Sequence, residues 1–293
     1  MKSDDGVTEV KDEIKFAVET DRRDGLVVEV EYENEIENDT EETETETKYE
    51  VIFDRVVEYS KGIDSTSPAY DWETDTIVSE LPLEDWESFS DVEDSLDGMT
   101  STFSVQSEGG VATFTFTISR ASENEAVTAN KMKIDFELIG YPWTRAGTNV
   151  ALLSTVESTR EVEVEYDGKK GLKGSREASE IQISFADAIE AVGGVAPFGD
   201  FTWEQEALVL NSTNVTIDVI ATSPIDNSNL VAFSFVGDDA QGAGDIYWDP
   251  DVGVGYRDVR ARTTFAVTGS LIGLAVVGIF AVLIVRRFGS SKK

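Results

Sequence analysis

The sequence contains no cysteine and no histidine. The first absence rules out disulfides, so the fold must be held by its buried core. Together the two absences remove thiol nucleophiles, imidazole bases and transition-metal sites built on sulfur or nitrogen ligands. A Ser-His-Asp triad is excluded on the same ground, and neither a P-loop nor a dinucleotide-binding fingerprint occurs. Proline is scarce, with six residues in 293, and no proline-rich linker divides the chain. Positive charge is scarce too: 24 Lys and Arg stand against 58 Asp and Glu, a net charge of −34. Such a field repels nucleic acid, which argues against a nucleic-acid partner.

Acidity on this scale belongs either to a disordered chain or to a folded surface adapted to concentrated salt. Disorder requires few aromatic and β-branched residues, yet apolar residues make up 40% of this chain and aromatics 10%. The chain is therefore expected to fold. At low ionic strength its like charges oppose compaction, whereas molar salt shortens the Debye length to about 3 Å and screens them. This composition points to an extreme halophile, and within that group to an archaeal source.

Against this background one segment stands out. Thr264 to Val285 is an uncharged run of 22 residues. As a helix it reaches about 33 Å, enough to cross a hydrocarbon core of roughly 30 Å. It predicts a single C-terminal transmembrane helix, preceded by a juxtamembrane segment at 257–263 and followed by a basic tail at 286–293. Arg286, Arg287, Lys292 and Lys293 lie beyond the run, and Arg257, Arg260 and Arg262 lie just before it. The small excess beyond favours a cytoplasmic C-terminus and an external domain. Met1 to Glu9 carries no apolar stretch of the kind a secretory signal needs. Read alone, that describes a tail-anchored chain with a cytoplasmic domain; the external reading is the one adopted. Within the run, Gly269 and Gly273 form a G-x-x-x-G that would let two such helices pack closely as a homo-oligomer.

Upstream, residues 1–12 read as a polar lead-in and 13–256 as one acidic β domain. Alternation is clean in Val111-Ala-Thr-Phe-Thr-Phe-Thr-Ile118 and in Met132-Lys-Ile-Asp-Phe-Glu-Leu138, which predicts antiparallel strands with one face buried. Eleven further short strands are expected, from Ile14–Thr20 to Leu230–Val236, with a short helix over Phe185 to Val192. Turn residues such as Glu108-Gly-Gly110 separate them. The fold class is all-β, an antiparallel β-sandwich of immunoglobulin-like size or larger. The alternative is two sandwiches divided near 121–130 or 167–174. The glutamate-rich stretch from Glu29 to Glu50 is expected to be an acidic loop or a hairpin extension between two strands.

Candidate sites are few. Asp238, Asp239, Asp245, Asp249 and Asp251 fall in a glycine-rich stretch, where flexible turns could gather oxygen ligands around Ca²⁺. The spacing matches no EF-hand. Asn38, Asn211 and Asn214 each begin an Asn-x-Ser/Thr pattern and are glycosylation candidates if the domain is external. Trp72, Trp86, Trp143, Trp203 and Trp248 suit either core packing or, beside carboxylates, sugar binding; packing is the expected role. Lys169, Lys170, Lys173 and Arg176 form the one basic island.

The resulting expectation is a single-pass cell-surface protein whose ectodomain serves structure, adhesion or ligand binding. Its partners would be the bilayer and other envelope proteins or glycans, and no cofactor is required beyond a possible Ca²⁺. The alternatives are a membrane-tethered hydrolase using Asp or Glu, glycosidase-like in chemistry, and the spike of a haloarchaeal virus.

Overall fold

The computed structural model describes residues 9–20, 25–37, 42–119, 129–158, 162–166, 176–184, 195–210, 213–223, 230–237, 244–258 and 279–284. Among these residues the chain is all-β, without a helix. The first half supplies β1 (Glu9–Glu19), β2 (Leu26–Glu37), β3 (Glu42–Ser60), β4 (Thr76–Pro82), β5 (Glu93–Asp94), β6 (Thr100–Gln106), β7 (Ala112–Ser119), β8 (Lys131–Leu138) and β9 (Asn149–Ser158). The second half supplies β10 (Val162–Tyr166), β11 (Arg176–Ser184), β12 (Val195–Thr202), β13 (Glu206–Leu210), β14 (Val215–Ser223), β15 (Leu230–Val236), β16 (Asp245–Trp248), β17 (Asp251–Asp258) and β18 (Ile279–Ile284).

All strands belong to one hydrogen-bonded network, antiparallel except where β18 joins β1. One layer runs β1–β2–β3–β9–β15–β14, with β4 beside the end of β3. The other runs β5–β6–β7–β8 and then divides. Phe136–Leu138 of β8 pair with β16, which pairs with β13, while Lys131–Lys133 pair with β17, which pairs with β12 and so leads to β11 and β10. The layers meet along β14, whose first residues pair with β13 and whose last pair with β11.

Alternation does the sorting. In β8 the residues Met132, Ile134, Phe136 and Leu138 are buried, and the charged residues between them are half-buried on the opposite face. Inward residues from both layers form one contiguous apolar cluster. Its rings bridge the layers, with Phe53 4.9 Å from Phe114 and Phe233 4.7 Å from Trp248. Glu108-Gly-Gly110 is the turn the sequence predicts, with Gly109 and Gly110 at φ of 84° and 69°.

A bulge in β3, where the register shifts between Phe53 and Arg55, exchanges the faces of that strand. Tyr49, Val51 and Phe53 point into the main core before it, and Val56 does so after it. Val57 and Tyr59 consequently join a second, smaller cluster with Tyr70, Ala151 and Ala232. The loop 61–75 covers that cluster. Tyr59 Oη donates to the Pro68 carbonyl at 2.9 Å, the Tyr70 N–H donates to Ser234 Oγ at 2.8 Å, and Thr222 Oγ1 donates to the Tyr70 carbonyl at 2.9 Å.

The same change of face buries Glu58 completely. Its carboxylate accepts from Thr148 Oγ1 at 2.6 Å, Thr144 Oγ1 at 2.7 Å, Ser79 Oγ at 2.9 Å and the Thr144 and Arg145 N–H groups at 3.0 and 3.1 Å. One anion thus ties the connection between β8 and β9 down onto β3 and β4.

Tyr49 crosses the core from β3 to the opposite layer. Its hydroxyl accepts the Gly253 N–H at 2.9 Å and lies 2.8 and 2.9 Å from the Gly253 and Asp200 carbonyls. Gly199 makes room for the ring, since a Cβ there would sit 2.8 Å from Tyr49 Cε1 and 3.1 Å from the Ile183 Cβ. Gly199→Ala is expected to cost about 1–3 kcal/mol through overpacking. Adding Tyr49→Leu should recover part of the loss, because the clashing ring is gone. Thermal melts of the two single variants and the double variant would read the coupling. Strictly additive losses would refute the contact.

Of the two forms expected for the glutamate-rich stretch, the structure has the hairpin extension, with β2 and β3 pairing continuously from Leu26↔Phe53 to Glu37↔Glu42. Two other sequence expectations need correction. The polar lead-in is shorter than expected, because β1 begins at Glu9. The glycine-rich stretch becomes β16 and β17 from Asp245 onward, with Ile246, Trp248, Val252 and Val254 in the core. Glycine there meets close neighbours rather than turns: a Cβ on Gly253 would strike the Asn130 carbonyl, and one on Gly255 the Phe198 ring. The helix expected at Phe185–Val192 lies outside the described residues. Of Thr264–Val285, the described residues are Ile279–Ile284, and they form a strand beside β1 where a helix is expected. A short, β-branched apolar run suits either state by pattern alone.

The register of β1, β2, β3 and β9 also places like charges opposite one another. Glu33 lies between Glu13 and Glu46, and Glu50 lies between Glu29 and Glu157. Among the described side chains two lysines interrupt the ladder. Lys15 Nζ reaches Glu31 at 2.7 Å and Glu33 at 2.6 Å, and Lys48 Nζ reaches Glu29 at 3.0 Å. The Glu31 and Glu33 carboxylates together raise the Lys15 pKa.

Candidate functional site

The outward face of β8 presents Lys131, Lys133, Asp135 and Glu137 in order, set by the two-residue period of the strand. The register brings Tyr247 of β16 opposite Glu137, and Leu208 of β13 opposite Tyr247. Asp135, Glu137, Tyr247 and Leu208, with Glu204, Glu206, Thr216 and Asp249, border a groove of about 440 Å³. A second hollow of about 460 Å³ adjoins it, sharing Glu204 and Asp249 and adding Lys133, Trp203 and Asp251.

Lysines hold one end of this surface. Lys133 Nζ lies 2.8 Å from Asp135 Oδ1 and 3.1 Å from Asp249 Oδ2, and Lys131 Nζ lies 2.8 Å from Asp200 Oδ2. Burial works against the charged form of Lys133, but its two carboxylate partners outweigh it and raise its pKa. At the other end, among the described residues no cation pairs with Glu137. Burial and then the neighbouring Asp135 charge push its carboxyl up. Burial likewise raises Asp251, with Lys131 and Lys133 opposing. The groove therefore joins a carboxyl that burial pushes up, Glu137, to carboxylates paired with a lysine, Asp135 and Asp249. Two buried polar atoms nearby, Trp203 Nε1 and Asp200 Oδ1, have no hydrogen-bond partner among the described residues.

The aspartates read as a possible Ca²⁺ site are divided by the fold. Asp249 pairs with Lys133, Asp251 opposes Lys133 across β17 and β8, and Asp245 at the far end of β16 accepts the Gly140 N–H at 2.9 Å. Asp238 and Asp239 lie outside the described residues, and among those described no three acids are grouped to hold a metal ion. Trp203 and Trp248 are buried, and Trp72, Trp86 and Trp143 lean on the two apolar clusters. Asn214 is exposed between β13 and β14; Asn38 and Asn211, Gly269 and Gly273, and Lys169, Lys170 and Lys173 lie outside the described residues. For Arg176 the structure gives only its place at the start of β11.

The groove itself went unread in the sequence. Its signal was present in the alternation of β8, where the charges at Lys131, Lys133, Asp135 and Glu137 share one face. Nothing local could add Glu204, Glu206 or Tyr247, which come from parts of the chain far beyond β8. Comparison with protein-family models and with curated proteins finds no match for this chain.

Proposed function

We propose that this chain is a salt-adapted, non-enzymatic binding domain displayed outside a haloarchaeal cell on one C-terminal membrane helix, Thr264 to Val285. The groove carries the binding part of the reading. It combines Glu137, which pairs with no cation among the described residues, with Glu204, Glu206, Tyr247 and the partly exposed Leu208, and it adjoins a hollow lined by Trp203, whose Nε1 has no hydrogen-bond partner among the described residues. That mixture suits a polyhydroxylated or cationic ligand, such as an envelope glycan or a basic segment of a neighbouring envelope protein. Anchorage is supported by the uncharged run and the basic residues beyond it. Among the described residues no helix is long and apolar enough to cross a membrane, and the anchor lies mostly outside them. Ile279–Ile284 can serve in the span or beside β1, but not in both at once.

One fractionation decides between these places and tests display. In molar salt the full chain should stay with membranes through alkaline washing, and protease added to intact cells should cut the domain. Release by the wash would return Ile279–Ile284 to β1 and end the anchor reading. A membrane-bound domain that is cut only after lysis would end display.

A tethered glycosidase-like hydrolase is the second reading. The placing of Glu137, whose carboxyl burial pushes up, beside further carboxylates in one groove favours it. If it holds, Glu137→Gln should lower turnover of a susceptible oligosaccharide by 100-fold or more, roughly the share of a general acid, with the fold unchanged. Equal turnover by variant and parent would dismiss this role for Glu137.

A further inference from the structure

We propose that Asn214 carries an N-linked oligosaccharide at the edge of the groove; this rests on the external display argued above. Asn214 sits at the reversal between β13 and β14 with a φ of 43°, and it is the one non-glycine residue with positive φ among the described residues. Asparagine tolerates that conformation, so the turn alone could explain its presence. The turn does not explain Thr216. In Asn214-Val-Thr216 the outer two residues are exposed, and Val215 between them packs against the core. The folded domain thus offers solvent both the acceptor amide and the hydroxyl two positions on, the pair that such modification requires. Access needs no local unfolding. Thr216 also borders the groove, so a glycan on its neighbour would stand at that rim.

The co-reactant is a lipid-linked oligosaccharide phosphate used by a membrane transferase. A bond forms between the Asn214 amide nitrogen and the anomeric carbon, and the bond from that carbon to the phosphate oxygen breaks. The lipid phosphate leaves with the electron pair, and the amide nitrogen gives up one proton to a base. No oxidation or reduction occurs.

The test is mass spectrometry of glycopeptides from the full chain produced in a halophilic archaeal host, with fragmentation that separates Asn211 from Asn214. The expected result is a sugar mass on Asn214 that persists in Asn211→Gln and disappears in Thr216→Val. Thr216→Val lies at an exposed strand position and should keep its melting temperature, so loss of the sugar would not reflect misfolding. A sugar on Asn38 or Asn211 with Asn214 bare would overturn the proposal and leave display standing. The same holds if every site is bare while external protease cuts the domain on intact cells. Bare sites in a chain protected from that protease would remove proposal and display together.

Discussion

Moved from about 1 M KCl to about 0.01 M, the domain is expected to lose its cooperative thermal transition, and to regain it when salt is restored. Across that range the Debye length grows from about 3 Å to about 30 Å. Each rung of like charge on β1, β2, β3 and β9 then acts at close to full strength. Directly opposed like charges on neighbouring strands each cost on the order of 0.2–1 kcal/mol, and several such rungs follow one another along these strands. Four such rungs sum to about 1–4 kcal/mol, which with the general repulsion of the negative surface is a large share of a domain's whole stability of roughly 5–15 kcal/mol. The expectation is specific to the ladder. Lys15→Met removes the ammonium between Glu31 and Glu33 and should raise the salt concentration needed for folding. Glu33→Gln combined with Glu46→Gln should lower it. Circular dichroism melts across a KCl series would decide the matter, and equal midpoints at both extremes would refute it.

The second large effect concerns Glu58. Burial favours its neutral form, but hydrogen bonds from Thr148, Thr144, Ser79 and the Thr144 backbone prevail and hold its pKa at about 2, against an ordinary 4.5. A folded value below the unfolded one stabilises the fold above the unfolded pKa. That contribution declines as pH falls from about 4.5 and is gone below about 2. At 1.36 kcal/mol per unit it amounts to about 3 kcal/mol at most. Glu58→Gln should cost about 2–3 kcal/mol at neutral pH, because an amide cannot accept from all the donors that surround the carboxylate. It should also flatten the stability curve between pH 4.5 and 2 relative to the parent. Denaturant titrations in molar salt would measure both changes. An unaltered acid limb would show that Glu58 is not the group responsible.

Much of the fold could be read directly because strand pattern is local. β7 and β8 alternate without a break, and the structure places their apolar residues in the core as that alternation predicts. β12, β16 and β17 were missed because glycine and proline in or beside them read as turn signals. The described pairing of β11 with β12 ends at Phe198, so Pro197 lies just beyond it. Gly253 and Gly255 are explained by Asn130 and Phe198, which lie far away in the sequence.

By itself the sequence determined composition, and with it the excess of negative charge, the lack of any cysteine or histidine chemistry, the strand-forming pattern and the uncharged run from Thr264 to Val285. Tertiary structure alone decided which carboxylates matter. The 58 acids are equivalent by composition, yet one bulge in β3 turns Glu58 into the core, and strand register sets Glu33 between Glu13 and Glu46. Pairing of β8 with β16, and of β16 with β13, gathers Glu137, Tyr247 and Leu208 around one groove. The reason is physical: alternation along a strand is set by neighbouring residues, whereas a side chain's electrostatic environment is set by whatever register and packing bring against it.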